Sequence, residues 1–227
     1  MKPWIVLGRA RTPDGTELTL TSHSSEYVIT AGHQTLMSSR AHGSEDALGV
    51  LGCRRARTLA RPCVLIGGLG MGFTLRAALD VLPSEALVVV AELVPAVLEW
   101  NRGPLGAVAE YPLKDPRVCV EEGDVAERIG SSPAAFDAIL LDVDNGPAAM
   151  ATASNAGLYD RDGLVRLRAS LRAGGTLAVW SARDESRFER TLRAAGFEIR
   201  HEHVHARTKK RGARHTILVA SKVGAAE

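Results

Sequence analysis

Three glycines, Gly68, Gly70 and Gly72, stand between an apolar run and a helix-like one in VLIGGLGMGFTLRAAL, residues 64–79. Glycines placed there let the backbone turn tightly and approach a ligand without side chains in the way. The spacing GLGMG is shorter than the dinucleotide fingerprint, and a plain strand-to-helix turn leaves the same trace, so the neighbouring residues must decide. Glu92 follows Gly72 by twenty residues and ends the next apolar run. An acid at that point accepts hydrogen bonds from both hydroxyls of a ribose. Asp124, in VEEGDV, closes a third run at the same edge, where an adenine amino group can be read. Asp142 and Asp144 end a fourth run in ILLDVDNGP. A carboxylate there lies beside the reacting end of a nucleotide-like ligand, where it can orient a cation or take a proton from a nucleophile. Asp144 suits a loop cap before NGP, which leaves Asp142 as the catalytic candidate.

These residues need an edge to stand on, and the chain supplies one. From Val64 onward it alternates strand and helix: CVLIGG and FTLRAALDVL, ALVVVAEL and VPAVLEWNRG, then RVCVEEGD, FDAILLDVD, a helix near 162–171, GTLAVWSA and ESRFERTLRAAG. Unalternated runs such as Val88–Val90 and Ile139–Leu141 belong to a sheet covered on both faces. Alternating units of this kind predict a parallel, doubly wound α/β sheet. FEIRHEHVHA and RHTILVASK have no helix between them and should pair as an antiparallel hairpin. A mostly parallel seven-stranded sheet closed by such a hairpin is the architecture of class I S-adenosylmethionine-dependent transferases. That makes a positively charged sulfonium donor the expected ligand. Ahead of it, WIVLGRA, GTELTLTSH and SEYVITAG predict a small antiparallel β unit over residues 1–38, leaving 39–227 as the Rossmann-like transferase domain. A helix over 44–60 is expected next, with Ser44 as its N-cap.

The remaining composition narrows the class. A net charge of +2 gives no reason to expect nucleic acid or a membrane as partner. Cys53, Cys63 and Cys119 are few and far apart, which reads as reduced thiols in a cytoplasmic protein. No apolar run reaches the roughly 18–20 residues of a membrane span, and MKPWIVLGRART is too short in apolar character for a signal peptide. His201, His203 and His205 share a strand face, but no carboxylate or cysteine cluster completes a metal set, so a solvated face is expected. The basic stretch 207–214 reads as a hairpin loop. Trp180 is placed to wall an acceptor pocket or to close the core edge.

The residues resemble those of spermidine synthase and its relatives, the polyamine aminopropyltransferases, over about Gly15 to Ser221. HQTLMSSRAHGSED is similar to a family segment in which a Gln is followed eleven residues later by a Glu, matching Gln34 and Glu45. GLGMGF, Gly68 to Phe73, falls on the family's GGGDGG, and LDVDNGP on its DSSDPxGP, with Asp142 at the catalytic aspartate. The resemblance implies S-adenosylmethionine or its decarboxylated form as donor, held by Gly68, Gly70, Gly72, Glu92 and Asp124. It implies a small-molecule acceptor such as an amine beside Gln34, Glu45, Asp144 and Asn145. A homodimer formed through the N-terminal β unit is a further implication.

Departures set the choice among reactions. Met71 stands at the family's acidic fourth glycine-loop position, and Gly43 and Ser44 stand at the Tyr-His of its YHE motif. The loop after Asp142 is two residues shorter. With those amine-gripping positions changed, methyl transfer to a small molecule is the first expectation. Aminopropyl transfer, within polyamine biosynthesis, is the alternative. A non-catalytic adenosyl-ligand-binding protein comes third.

Overall fold

A computed structural model describes residues 3–142, 157–181, 186–207 and 211–223. Strands β1 (Ile5–Arg11), β2 (Glu17–His23), β3 (Glu26–Ala31) and β4 (Gln34–Ser38) make an antiparallel four-stranded sheet in chain order. Alternation drives it: Leu18, Leu20 and Ile29 turn inward and are buried, while their neighbours face outward. The strand β4 was not expected. QTLMS carries only Leu36 and Met37 as apolar residues, too weak a signal to register as a strand.

The second sheet has seven strands: β5 (Cys63–Gly67), β6 (Leu87–Glu92), β7 (Val118–Glu122), β8 (Phe136–Leu141), β9 (Leu171–Ser181), β10 (Phe197–Arg207) and β11 (Arg211–Lys222). Their order is β10-β11-β9-β8-β5-β6-β7. Strands β5 to β9 pair in parallel, and β11 enters antiparallel between β9 and β10. The expected doubly wound sheet with its closing hairpin is therefore present. Consecutive residues serve opposite faces: Val64 and Ile66 join one core, Leu65 the other. Helices α1 (Gly43–Gly52), α2 (Phe73–Val81) and α3 (Pro95–Arg102) cover the first face. Helices α4 (Val125–Gly130), α5 (Arg161–Ser170) and α6 (Ser186–Ala194) cover the second. Among the described residues no helix is long and apolar enough to cross a membrane.

Chain order reverses beside β5, which has β6 on one side and β8 on the other. The carboxyl ends of β5 and β8 thus flank the crevice where ligands of open α/β sheets bind. Gly67 and Asp142 meet there, Asp142 N–H donating to the Gly67 carbonyl at 3.0 Å.

The helix expected over 44–60 is shorter and starts elsewhere. It ends at Gly52, and a separate 3-10 turn follows at Ala56–Thr58. His42 is the N-cap, and Ser44 lies inside the first turn, 1% exposed. Close packing explains the glycines of α1. A Cβ on Gly52 would stand 2.7 Å from Leu140 of β8, and one on Gly49 2.7 Å from the Thr74 carbonyl of α2.

Candidate functional site

A cavity of about 320 Å³ opens at the carboxyl edge of the large sheet, beneath the four-stranded sheet. That volume lies in the range of small-molecule sites. Its floor begins at the glycine turn. Gly68, Gly70 and Gly72 all adopt left-handed backbone, with φ of 85°, 53° and 85°, which explains their residue type. Gly68 and Gly70 line the cavity. Gly72 does not: it begins α2 against Pro112 and Asn101, where a Cβ would stand 3.0 and 3.1 Å away.

Glu92, at the end of β6, is 7% exposed and lines the cavity. Its two oxygens accept from the backbone N–H of Leu69 and of Val94, each at 2.8 Å. The carboxylate expected to grip a ribose therefore also braces the glycine turn. Asp124 caps α4, accepting from Ala126 N–H at 2.8 Å, and lines the cavity between Gly123 and Val125. Asp142 follows β8 and is held by Thr74, whose hydroxyl donates to Oδ2 at 2.8 Å. Thr74 is 2% exposed and sits in the first turn of α2, so the glycine turn and the aspartate are fastened together.

The roof comes from the N-terminal sheet. Gln34, Leu36 and Met37 of β4, Leu18 of β2, Ile29 and Ala31 of β3, and the β1–β2 turn all face the cavity. Asp14 in that turn accepts from the Thr12 hydroxyl and from Thr16 N–H, bonds that hold its carboxyl below the usual range. Roof and floor touch where a Cβ on Gly70 would stand 2.6 Å from the Met37 sulfur.

Glu45 reaches the cavity from the first turn of α1. Burial pushes its carboxyl above the ordinary value, against the opposing pull of the Ser44 hydroxyl at 2.6 Å. Ser44 Oγ also lies 3.0 Å from His215 Nδ1 of β11. Burial lowers the His215 pKa, which favours the neutral imidazole. Trp180 of β9 walls the cavity and meets the His215 ring edge to face at 4.9 Å. Its buried indole N–H has no hydrogen-bond partner among the described residues.

Of the residues singled out in the sequence, Gly68, Gly70, Glu92, Asp124, Asp142, Gln34 and Glu45 converge on one cavity. Asp144 and Asn145 lie outside the described residues. Met71 points elsewhere: it is 2% exposed in the core packed against α1 to α3, so the position read as replacing a donor-binding aspartate does not line the cavity. The histidine face divides, His201 pairing with Glu189 at 3.1 Å and His203 with the Thr216 hydroxyl at 3.3 Å. Sequence reading missed Thr74, Asn101 and His215. Asn101 Nδ2 donates to the Gly70 carbonyl at 2.8 Å, supporting the turn from below.

No protein-family model and no curated protein matches the chain. Solved structures do. A spermidine synthase from Thermotoga maritima superposes with a TM-score of 0.72 at 18% identity, over 96% of this chain and 72% of that one. A spermidine synthase in complex with the transition-state analogue AdoDATO gives 0.71 at 18% identity, with the same coverage. A probable spermidine synthase from Corynebacterium glutamicum ATCC 13032 gives 0.63 at 17%, over 94% and 79%. The chain has the fold that these proteins share.

Proposed function

We propose that the cavity binds an adenosyl sulfonium donor and transfers its aminopropyl group to an amine. Decarboxylated S-adenosylmethionine is the donor and a polyamine the acceptor. The observation that carries this reading is the sign of the wall. Asp14, Glu45, Glu92, Asp124 and Asp142 line the cavity, and no Lys, Arg or His lines it among the described residues. A decarboxylated donor carries a sulfonium and an ammonium but no carboxylate, and an amine acceptor adds further positive charge. Carboxylates in the wall offset the desolvation that makes a buried, unpartnered cation costly. The carboxylate of intact S-adenosylmethionine would meet like charge in the same place.

Methyl transfer, the first expectation from sequence, rested on changed amine-gripping positions: Met71, Gly43, Ser44 and the shorter loop after Asp142. Met71 faces the core rather than the cavity, which removes one of those reasons. The fold shared with spermidine synthases supports the aminopropyl reading as well.

In this reading Gly68 and Gly70 give the donor close backbone approach, and Glu92 and Asp124 meet its ribose and adenine. Asp142, fixed by Thr74, faces the reacting carbon and its sulfur. Displacement at a carbon next to sulfonium needs mainly alignment, because the thioether leaves readily.

Thermal unfolding with S-adenosylmethionine, its decarboxylated form and methylthioadenosine tests the site. A ligand at 100 times its Kd adds about 2.7 kcal/mol. For a chain of this size that raises Tm by roughly 5–10 °C. The decarboxylated donor and methylthioadenosine are expected to do so, and product should form with putrescine. A shift with intact S-adenosylmethionine alone would favour methyl transfer. Binding without turnover of any amine would leave an adenosyl-ligand-binding protein.

A further inference from the structure

Glu45 and Asp142 line the cavity from different elements, and their surroundings differ. Asp142 is held by the Thr74 hydroxyl at the edge of the parallel sheet. Glu45 stands at the start of α1, its backbone carbonyl 3.3 Å from that same hydroxyl. Behind Glu45 runs a chain of polar groups leading away from the cavity: Glu45 Oε2, Ser44 Oγ at 2.6 Å, then His215 Nδ1 a further 3.0 Å on. Ser44 has one proton to give. With Glu45 ionised that proton goes to the carboxylate, and the hydroxyl accepts from Nδ1–H of a neutral His215.

We propose that Glu45 takes the proton from the acceptor amine, and that Ser44 and His215 are the positioning pair that aims its carboxylate and sets its proton affinity. This rests on the amine-transfer reading above. One N–H bond of the acceptor ammonium breaks and its proton moves to Glu45, leaving a lone pair on nitrogen. That pair forms the new C–N bond while the C–S pair withdraws onto sulfur. Sulfonium becomes thioether, the product nitrogen keeps the positive charge, and Glu45 releases its proton to water.

The assignment divides the labour of the two acids. Removing a proton from an amine of pKa about 10.4 at neutral pH costs roughly 4–5 kcal/mol. A carboxyl whose proton affinity is raised by burial is better matched to that task than an ordinary one. Charged neighbours act on Glu45 as well, His42 lowering its proton affinity and Asp46 raising it. On α1 itself, His42 pairs with Asp46 at 2.8 Å and stacks on Phe73 of α2 at 4.0 Å. From β9 comes the Trp180 edge, from β8 Asp142 through Thr74, and from β10 Val204, the register partner of His215. His205 of β10 presents its backbone carbonyl to Gly43, beside Ser44. At Ser44, where the resemblance places the family's histidine, an imidazole is still at hand, arriving from β11.

The test uses the full chain with decarboxylated S-adenosylmethionine and putrescine, measuring kcat/KM against pH and methylthioadenosine binding. Glu45→Gln is expected to lose about 10²–10⁴-fold in kcat while still binding methylthioadenosine. Ser44→Ala should lower kcat less and move the acid limb of the profile to higher pH, because the hydroxyl that lowers the Glu45 pKa is gone. Ser44→Thr should restore both. Turnover retained in Glu45→Gln, or an unmoved acid limb in Ser44→Ala, overturns this assignment alone. A wild-type chain that transfers nothing to any amine overturns the parent reading, and this one with it. If Glu45→Gln fails to fold, the limb shift and its rescue decide.

Discussion

At the scale of single residues, Glu45 shows how a site works against stability. Burial raises its pKa above the ordinary 4.5, so the folded protein holds the proton after the unfolded chain has lost it. Below about pH 4.5 both states are protonated and nothing is lost. As pH climbs from there through the folded pKa, the folded state binds more protons than the unfolded one, and stability falls. Glu45→Gln removes that fall. Without ligand, the variant should melt above wild type at pH 7.5, with the difference shrinking towards pH 4.5. Paired melting curves at the two pH values check this, and a gap independent of pH would contradict it. Residues were also where sequence reading failed most. Met71 sits among glycines, whose turn geometry decides which way it points, and spacing along the chain carries no information about that. Thr74 and Asp142 are 68 residues apart, and Ser44 and His215 are 171 apart. No local pattern links such pairs.

Secondary elements were far more legible, for a physical reason. Strands buried on both faces must be continuously apolar, and Val88–Val90 and Ile139–Leu141 announce themselves. The glycine turn and the carboxylates at strand ends follow from that register, which is why Gly68, Gly70, Glu92, Asp124 and Asp142 meet in one cavity. Strand β4 and the extent of α1 lack such a signature, because packing fixes them rather than local pattern. Helix α1 owes its position to glycines that let it approach α2 and the sheet. A Cβ at Gly49 would meet the Thr74 carbonyl at 2.7 Å and Ala77 Cβ at 2.8 Å. Gly49→Ala should therefore force the helices apart, costing about 1–3 kcal/mol as an overpacked core does. Because Thr74 holds Asp142, kcat should fall more than methylthioadenosine affinity does. Chemical denaturation with steady-state kinetics reads both effects, and an unchanged kcat would detach Thr74 from Asp142.

For the molecule as a whole, the cavity exists because two sheets meet. The parallel sheet alone offers an acidic edge, and the N-terminal sheet supplies Gln34, Met37 and Asp14 to close it. One contact that brings them together is at Gly8 of β1, where an added Cβ would run into the Trp100 indole of α3. Gly8→Val should lift the roof there while leaving the large core intact. Methylthioadenosine affinity is expected to drop at least tenfold, with far-ultraviolet circular dichroism unchanged. Isothermal titration measures the affinity, and undiminished binding would show that the roof contributes nothing.

Met37 and Gly70 meet across the same divide, one from each sheet. The atoms of Met37 that approach residue 70 are the end of a flexible side chain, which swings aside at little cost, so the left-handed backbone at φ 53° is the firmer constraint there. Asparagine and aspartate tolerate that backbone better than other side chains do. Position 70 is therefore open to a short polar residue with no earlier change at 37, and the cavity's chemistry at that point can be rewritten in a single step.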